Sequence, residues 1–384
     1  MTRLLVDGVF FQMTNTGIAR VWASILELMA RDPRFELFLL DRGDAPSIEG
    51  ITAIPFPSYR FQYCVADSEM IQNLCDLHEI DVFTSTYYTT PMRTPMVLMV
   101  YDMIPELFGF DMSARGWLEK TTAIAYAHHY LCISENTRRD LIAIHPEIPM
   151  KATDVAYCGI DRTVFRERSS NDIAGFRAKY GLDRAYFLFV GSRVQYNGYK
   201  NSQLFFDALP RLEEPSFDIF CAGGEPEIEA TILRNLPPGV GCQRVHLTDD
   251  ELNLAYAGAQ ALVYPSLYEG FGMPVIEAMA SGCPVITTAH GSLAEAAGDA
   301  AILISGMSVQ EMAEALAKVQ LEGVRETLRA QGLAHAASFQ WDGMAKLLGD
   351  CLVDAAARAK AGEFDAYVDE WQRIRRIQGA VDYA

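Results

Sequence analysis

The feature that most constrains the fold of this chain is the alternation of short apolar runs with longer helical patterns. The runs are continuously apolar, which is typical of strands buried on both faces of a sheet. Their alternation with helices favours parallel βαβ units. The first half contains RLLV, FELFLL, DVFTST, MVLMVYD, YLCIS and ATDVAY, and the second half contains YFLFVGS, SFDIFCAGG, RVHLT, ALVYPS, PVITT and AAILIS. Two series of about six strands each predict two doubly wound α/β domains.

Chain length and a polar junction set the predicted domain boundary. A chain of 384 residues is long enough for two or three domains. The junction lies around Arg162 to Ser170, in a polar and charged stretch between a strand and a new helix start. We therefore predict a first domain over residues 1–168 and a second over residues 169–360. The tail is helical in composition, and Gly362 is expected to divide it into two helices.

Composition excludes several classes of protein. The net charge is −18 and the isoelectric point about 4.8, so the broad basic surface of a nucleic-acid binder is absent. Strong binding to an anionic membrane is disfavoured, although a local basic patch would allow weak peripheral contact at the inner face of the membrane. No apolar run reaches the length of about 18 residues that a membrane helix needs, and MTRLLVDGVFF is too short for a signal peptide.

The eight cysteines are scattered along the chain without a C-x-x-C pair. Most lie in apolar surroundings such as LCIS and IFCAGG. We interpret them as buried thiols in a reducing, cytoplasmic compartment rather than as disulfides or metal ligands.

Open parallel sheets bind ligands beyond the carboxyl ends of their strands, so the loops after the apolar runs are the places to inspect. In the first half, residues 14–16 offer capping groups, and Gly17 allows close backbone approach at a helix N-terminus. Tyr101 and Asp102 follow another strand in VYDMIPE. The alternatives are an ordinary capped loop for the first segment and a strand-terminating turn for the second.

Two loops of the second half carry polar groups. In FVGSRVQYNGYKN, a strand is followed by Gly191, Ser192 and Arg193 and then by Lys200 at a helix start. Two cations beside a glycine turn are a reasonable diphosphate site, although the motif is neither G-x-G-x-x-G nor a P-loop, and a solvated loop is the alternative. In CAGGEP, Glu225 follows two glycines that would let a ligand approach the backbone.

The segment EGFGMPVIE places two carboxylates on either side of a glycine turn. Glu269 lies in the loop, Gly270 and Gly272 expose backbone N–H groups, and Glu277 lies near the start of the following helix. A carboxylate accepts paired hydrogen bonds from vicinal hydroxyls, so each could hold one sugar ring of a sugar nucleotide. The alternative is a helix N-terminus that carries acids on its surface, where they interact favourably with the helix dipole.

The whole stretch PSLYEGFGMPVIEAMASGCPVI, with EAAGDAAILI after it, resembles the donor-binding signature of retaining glycosyltransferases of family 4. Further segments match in the expected order: TGIAR, LCISENTRRDL, VAYCGID, and FLFVGS with the later KN. The resemblance is weak over residues 40–80 and in the final tail. It implies the GT-B fold, in which two Rossmann-like domains face each other across a cleft, and a C-terminal helix over residues 361–384 that packs back on the N-terminal acceptor domain.

The resemblance also implies roles for individual residues. Glu269 would contact hydroxyls of the donor sugar, Glu277 would hold the ribose, and Arg193 with Lys200 would neutralise the diphosphate. The predicted catalytic residues are Arg193, Lys200 and Glu269. The predicted donor-binding residues are Gly17, Tyr101, Asp102, Gly191, Ser192, Glu225, Gly270, Phe271, Gly272, Met273 and Glu277. Two departures from the family pattern stand out, since Tyr101 replaces the usual histidine and the connection from Arg193 to Lys200 is longer than the common form.

The implied reaction transfers a hexose from a nucleotide diphosphate sugar to an acceptor hydroxyl with retention at the anomeric carbon. GDP-mannose is the expected donor, by resemblance to bacterial polysaccharide mannosyltransferases. The expected acceptor is a glycan or lipid-linked molecule of polysaccharide or O-antigen synthesis. Preorganised cations would stabilise the departing diphosphate, and because the sequence has no Asp-x-Asp motif we expect neither a metal nor another cofactor.

Three other functions stay open at this point. A nucleotide-sugar epimerase of the same fold would need an acid/base set that the sequence does not reveal. A non-catalytic sugar-nucleotide binder or scaffold is the second alternative. The presence of all four charged residues of the predicted site argues against a loss of activity; they are Arg193, Lys200, Glu269 and Glu277. A nicotinamide-dependent dehydrogenase fits the two sheets but lacks the glycine fingerprint. The oligomeric state cannot be read from the sequence.

Overall fold

The structure is a computed structural model that describes residues 1–13, 17–60, 64–194 and 198–382. Residues 14–16, predicted to cap the first helix, lie outside the described residues, as do residues 195–197 of the connection between Arg193 and Lys200. The chain divides into two compact units. The first consists of Met1–Gly159 and Trp341–Ala384, and the second of Ile160–Gln340.

The first unit is built on parallel strands. These are β1 (Thr2–Asp7), β2 (Phe35–Asp41), β3 (Ile51–Pro55), β4 (Val82–Ser85), β5 (Val97–Val100), β6 (His129–Cys132) and β7 (Thr153–Val155). They pair in the orders β3-β2-β1-β4 and β5-β6-β7, and a parallel bridge between Phe83 and Met96 joins the two sets. The strand order therefore reverses between β1 and β4, as in a doubly wound sheet.

The helices of the first unit come from both pieces of the chain. They are α1 (Gly17–Met29), α2 (Val65–Leu77), α3 (Ile104–Leu107), α4 (Arg115–Tyr126), α5 (Glu135–Ile144), and, after the second unit, α14 (Trp341–Lys360) and α15 (Asp365–Asp382). Gly362 has a φ of +77° and lies between α14 and α15, which confirms the predicted break in the tail. In α15, Trp371 is buried in the same apolar core as Phe83.

The second unit is a doubly wound sheet of one continuous chain segment. Its strands are β8 (Tyr186–Val190), β9 (Asp218–Ala222), β10 (Cys242–Val245), β11 (Ala261–Tyr264), β12 (Val285–Thr288) and β13 (Ile302–Ile304), in the order β10-β9-β8-β11-β12-β13. Its helices are α6 (Ser170–Tyr180), α7 (Ser202–Ala208), α8 (Ala230–Asn235), α9 (Asp249–Gly258), α10 (Met273–Ala280), α11 (Leu293–Ala297), α12 (Val309–Val319) and α13 (Glu322–Ala336). All strand pairs of both units are parallel, which confirms the predicted α/β class.

The division between the units differs from the predicted one. The chain passes from the first unit to the second between Gly159 and Ile160 instead of after residue 168. It returns to the first unit at Trp341 instead of at residue 361. The return begins early because α14 packs against α1 and its Asp350 forms an ion pair of 2.6 Å with Arg34. An amphipathic helix carries no local sign of the sheet on which it packs, so the sequence placed α14 with its chain neighbours.

A buried ion cluster follows β1 in the first unit. The Arg42 guanidinium donates to both carboxylate oxygens of Asp7, at 2.6 and 2.7 Å, and to both carboxylate oxygens of Asp67, at 2.8 and 3.0 Å. The side chains of Arg42 and Asp7 have no exposed surface, and that of Asp67 is one-fifth exposed. The Thr89 hydroxyl donates a further hydrogen bond of 2.7 Å to Asp7. Each charged group of the cluster thus has an oppositely charged partner, and the two carboxylates share one cation.

All eight cysteines are free thiols, as predicted; six are buried, and Cys64 and Cys242 are half-buried. Among the described residues, no helix combines the length and the apolar character that crossing a membrane requires.

Candidate functional site

The loops after β8 and β11 leave the sheet of the second unit at the point where its strand order reverses. In open α/β sheets, ligands bind at such a switch point. The first loop starts at Gly191, whose φ of +104° suits only glycine. It leads to Lys200 just before α7, and the second loop contains Glu269 just before α10. The topology therefore brings two of the three predicted catalytic residues to the expected place.

Lys200, Tyr264 and Glu269 form a hydrogen-bonded cluster, which we call the Lys200–Glu269 site. Lys200 Nζ lies 2.8 Å from Glu269 Oε1, and the Tyr264 hydroxyl donates to the same oxygen at 2.8 Å. Lys200 Nζ also lies 3.5 Å from the Tyr264 oxygen. The lysine side chain remains one-quarter exposed, whereas the glutamate is largely buried. A cation and a carboxylate are thus held together at the edge of the sheet with one side open to solvent.

The charge on Lys200 is stabilised by these neighbours. Burial acts to lower the pKa of the lysine, but Tyr264 and Glu269 outweigh it and raise the pKa above its ordinary value. Lys200 therefore stays protonated at neutral pH, as a group that neutralises an anionic ligand must.

Backbone contacts fix Lys200 beside Glu269. The Leu267 N–H donates to the Tyr199 carbonyl at 2.7 Å, which joins the two loops. The Asn201 side chain donates to the carbonyls of Pro265, at 3.1 Å, and Gly306, at 2.9 Å. Asn201 itself has a φ of +50°, a conformation that asparagine tolerates better than most residues. These hydrogen bonds fix the backbone on both sides of Lys200 and so set the direction in which its side chain points.

The turn of EGFG is fixed by close packing. Gly272 has a φ of +102°, and a Cβ at this position would lie 2.8 Å from a Leu293 methyl group. The Phe271 ring is buried and packs edge-on against Phe339, with ring centroids 5.6 Å apart. Because that ring faces the core, Phe271 could meet a ligand only through its backbone, and its contact with a donor stays a prediction. Met273 begins α10.

Glu277 is more buried than the sequence indicated. Its side chain lies in α10 with 1% of the residue exposed, and it accepts a hydrogen bond of 3.2 Å from the Tyr256 hydroxyl. Glu269 is 9% exposed. The alternative interpretation, in which both acids lie on the surface of a helix N-terminus, is therefore wrong. Contact between Glu277 and a ribose stays a prediction.

Arg193 occupies a different position from the one predicted for a phosphate ligand. Its guanidinium has no exposed surface and donates to the Glu229 carboxylate at 3.2 Å. It also donates to the carbonyls of Gly223, at 3.3 Å, Glu225, at 2.8 Å, and Glu227, at 2.9 Å. In this structure the Arg193 side chain is bound by the loop after β9. Contact between Arg193 and a diphosphate stays a prediction.

Ser192 and Glu225 join the same two loops. The Ser192 hydroxyl donates to one Glu225 carboxylate oxygen, and the Arg193 N–H donates to the other at 2.7 Å. Burial acts to raise the pKa of Glu225, but these hydrogen bonds hold it below its usual range. A Cβ at Gly224 would collide with the Gly191 carbonyl. The loops after β8 and β9 are thus in tight contact, and the hydrogen bonds to Glu225 stabilise the loop that carries Gly191.

Three predicted donor-binding residues belong to the first unit. Gly17 begins α1, and a Cβ on it would meet open space. The Tyr101 side chain is buried, and burial raises its pKa well above the ordinary value. Asp102 accepts a hydrogen bond of 2.9 Å from the Ile104 N–H at the start of α3, which favours the strand-terminating turn. Beside it, the buried Lys120 donates to the Asp102 carbonyl at 2.9 Å and to Glu106 at 2.8 Å.

No role was predicted for the two tyrosines that donate hydrogen bonds to the carboxylates of Glu269 and Glu277. Tyr264 ends an apolar strand, and a hydroxyl at the carboxyl end of a strand next to a predicted site is a signal that could have been used. Tyr256 lies inside a helix, where its ring looks like an ordinary core residue until the fold brings it to Glu277.

Replacing Tyr264 with phenylalanine tests the importance of the hydroxyl. For the sugar donor that the resemblance implies, we expect KM to rise about fivefold while kcat changes less, because one hydrogen bond of about 1 kcal/mol is lost from Glu269 and the ring remains. Steady-state kinetics across donor concentrations measure both constants. Tyr180→Phe is the matched control, since Tyr180 donates at 2.8 Å to Glu251 on the surface of the same unit. Equal KM values for the two variants would contradict the prediction.

The comparisons with known proteins agree with this geometry. Residues 184–320 match the family model of the glycosyl transferases group 1, and they make up most of Ile160–Gln340. The matched stretch includes both loops of the Lys200–Glu269 site. This confirms the resemblance that the sequence indicated.

Relatives extend the likeness beyond this unit. The chain is 29% identical over 220 residues to an O-antigen chain mannosyltransferase B of Escherichia coli, a match that covers 55% of this chain and 57% of the relative. It is 31% identical over 233 residues to a D-inositol 3-phosphate glycosyltransferase of Mycobacteroides abscessus, covering 58% and 49%. The matches thus span about half the length of these curated relatives.

Solved structures confirm the GT-B fold class. An Anabaena protein in complex with UDP-glucose aligns with a TM-score of 0.70 at 17% identity, covering 92% of this chain and all of that one. At this level of identity the likeness shows the fold alone.

Proposed function

We propose that the chain is a retaining glycosyltransferase of family 4. It would transfer a hexose from a nucleotide diphosphate sugar to a hydroxyl of a glycan or lipid-linked acceptor. The observation that carries this proposal is the Lys200–Glu269 pair, a cation and a carboxylate 2.8 Å apart at the switch point of a unit that matches the family model of the glycosyl transferases group 1. A sugar nucleotide needs both groups, one for its diphosphate and one for its hydroxyls.

Lys200 supplies the main electrostatic contribution in the proposed mechanism. Negative charge develops on the diphosphate as the bond to the sugar breaks, and a preorganised ammonium group lowers the free energy of that transition state. Glu269 accepts hydrogen bonds from hydroxyls of the donor sugar and sets the direction of the anomeric carbon. Arg193 and Glu225 hold the loop of Gly191 in place. The leaving phosphate itself takes the proton of the acceptor hydroxyl.

The proposed donor is GDP-mannose, and the proposed acceptor belongs to bacterial polysaccharide synthesis at the cytoplasmic face of the membrane. The Escherichia coli relative, named as an O-antigen chain mannosyltransferase, supports both proposals. The Anabaena structure with UDP-glucose and the inositol-phosphate glycosyltransferase point to other donor and acceptor pairs. UDP-glucose is therefore the second donor to test.

A donor screen tests the proposal. The purified full chain is incubated with GDP-mannose, UDP-glucose and other common nucleotide sugars, with and without short mannose oligosaccharides, and the release of nucleoside diphosphate is measured. We expect release from one donor, faster with acceptor, and a product with the anomeric configuration of that donor by NMR. Binding without release would indicate a scaffold protein, and an isomerised nucleotide sugar would indicate an epimerase; either result overturns the proposal.

Transfer is expected to continue in excess EDTA, because Lys200 replaces a divalent cation at the diphosphate. The rate of nucleoside diphosphate release is measured before and after treatment with EDTA, and circular dichroism checks that the fold is unchanged. A loss of activity that magnesium or manganese restores would contradict the metal-independent mechanism.

A further inference from the structure

Three side chains that could bind a metal ion meet in the first unit, and none of them is part of the proposed donor site. His129 begins β6, Asp154 lies in β7, and Cys351 lies in α14. His129 Nε2 is 2.9 Å from Asp154 Oδ2, and Cys351 Sγ is 3.7 Å from the same oxygen. One ligand atom of each residue lies within 4.8 Å of the others.

We infer that these three residues bind one zinc ion. Imidazole nitrogen, thiolate sulfur and carboxylate oxygen are the three kinds of ligand that zinc takes in proteins. Ligand atoms around a tetrahedral zinc ion, with bonds of about 2.0–2.3 Å, lie about 3–4 Å apart. The separations of 2.9 and 3.7 Å fit that geometry, and the third pair, His129 Nε2 and Cys351 Sγ, lies within 4.8 Å and closes to it when the side chains turn toward the ion. The fourth position is available to water.

Burial and charge around the three residues favour such a site. His129 and Cys351 are buried, whereas nearly half of the Asp154 side chain is exposed and offers a path for the ion. Asp350 and Asp354 on α14 add negative charge near Cys351.

The position of the ligands indicates what the ion would do. Asp154 and Cys351 are 197 residues apart in the chain, and the whole second unit lies between them. A bound ion would join α14, in the returning segment, to two strands of the first piece. Cross-links that close long loops restrict the unfolded chain most, and an ion that binds only the folded state stabilises that state. Zinc would therefore stabilise the first unit rather than take part in transfer.

Cobalt(II) titration of the metal-stripped full chain tests the inference through a spectroscopic readout. We expect about one ion per chain, with a thiolate-to-cobalt charge-transfer band in the near ultraviolet and the visible bands of a tetrahedral site. Cys351→Ser should abolish the charge-transfer band, and Asp154→Asn should weaken binding at least tenfold, as loss of a carboxylate ligand does. Cys64→Ser is the matched control, because Cys64 is a half-buried thiol outside the cluster and its loss should leave the band intact.

Two outcomes would overturn the inference: a titration of the native chain without a thiolate band, or a band that survives in Cys351→Ser. Should Cys351→Ser fail to fold, the half-exposed Asp154→Asn variant decides, since binding of native strength would also overturn it. Competition with a chromophoric chelator gives the zinc affinity of each variant. Such a site would correct the expectation, drawn from the scattered cysteines, that none of them is a metal ligand.

Discussion

Replacing Arg42 with leucine is expected to lower the free energy of unfolding of the first unit by about 3–5 kcal/mol. The substitution leaves Asp7, which has no exposed surface, and the mostly buried Asp67 without their common cation. A buried carboxylate that loses its partner cannot recover the hydration it gave up on folding. A smaller loss is expected for Arg42→Lys, because an ammonium group cannot donate in parallel pairs to two carboxylates.

Tryptophan fluorescence during urea unfolding measures this loss selectively. All four tryptophans, at positions 22, 117, 341 and 371, belong to the first unit, so their signal follows that unit alone. Arg93→Leu is the matched control, since Arg93 forms an ion pair of 2.6 Å with Asp76 in which both side chains are more than 40% exposed. Exposed pairs of this kind contribute about 0–1 kcal/mol. Similar urea midpoints for Arg42→Leu and Arg93→Leu would show that the buried cluster stabilises the first unit no more than the exposed ion pair does.

Removing either charge of the Lys200–Glu269 site is the second large effect that we expect. Lys200→Ala and Glu269→Ala should each lower kcat/KM for sugar transfer at least tenfold, because one removes the cation at the diphosphate and the other a contact to the donor sugar. The fold should survive, since Lys200 is one-quarter exposed and Asn201 keeps the two loops joined.

The second unit itself contains the control for these variants. Lys179 and Tyr180 contact one oxygen of Glu251, at 2.6 and 2.8 Å, in an arrangement like that of Lys200, Tyr264 and Glu269 but with Lys179 63% exposed on the surface. Lys179→Ala should leave transfer unchanged. In the double variant Lys200→Ala/Glu269→Ala, a loss smaller than the product of the two single losses would show that the residues act as a unit. Wild-type turnover in both single variants would refute the site.

The sequence predicted the strands well because their apolar runs are local and continuous. Every predicted run corresponds to a strand in the structure. The strand Ile51–Pro55 was missed, since it lies at the edge of its sheet with its residues partly exposed and ends in a proline. The return of the chain at Trp341 was also missed, because the partner of α14 is a helix more than three hundred residues earlier.

Only those parts of the candidate site that belong to local sequence motifs could be predicted from the sequence. The spacing of Glu269 and Glu277 around a glycine turn is visible in the sequence, and the loop of Lys200 follows a strand. Which way Arg193 points depends on the carbonyls of a loop about thirty residues later, and no local pattern records this. The meeting of His129, Asp154 and Cys351 depends in the same way on the complete fold.

The split of the first unit has a consequence during protein synthesis. A ribosome makes the whole second unit before it makes residues 341–382, so the contiguous unit can fold while the first is still incomplete. The core of the first unit needs Trp371, and the N–H of Val65 at the start of α2 bonds to Asp382 at 3.2 Å. Until those residues emerge, the first 159 residues expose apolar surface that only the returning helices cover. Nascent chains stalled before residue 341 would therefore be the natural clients of chaperones.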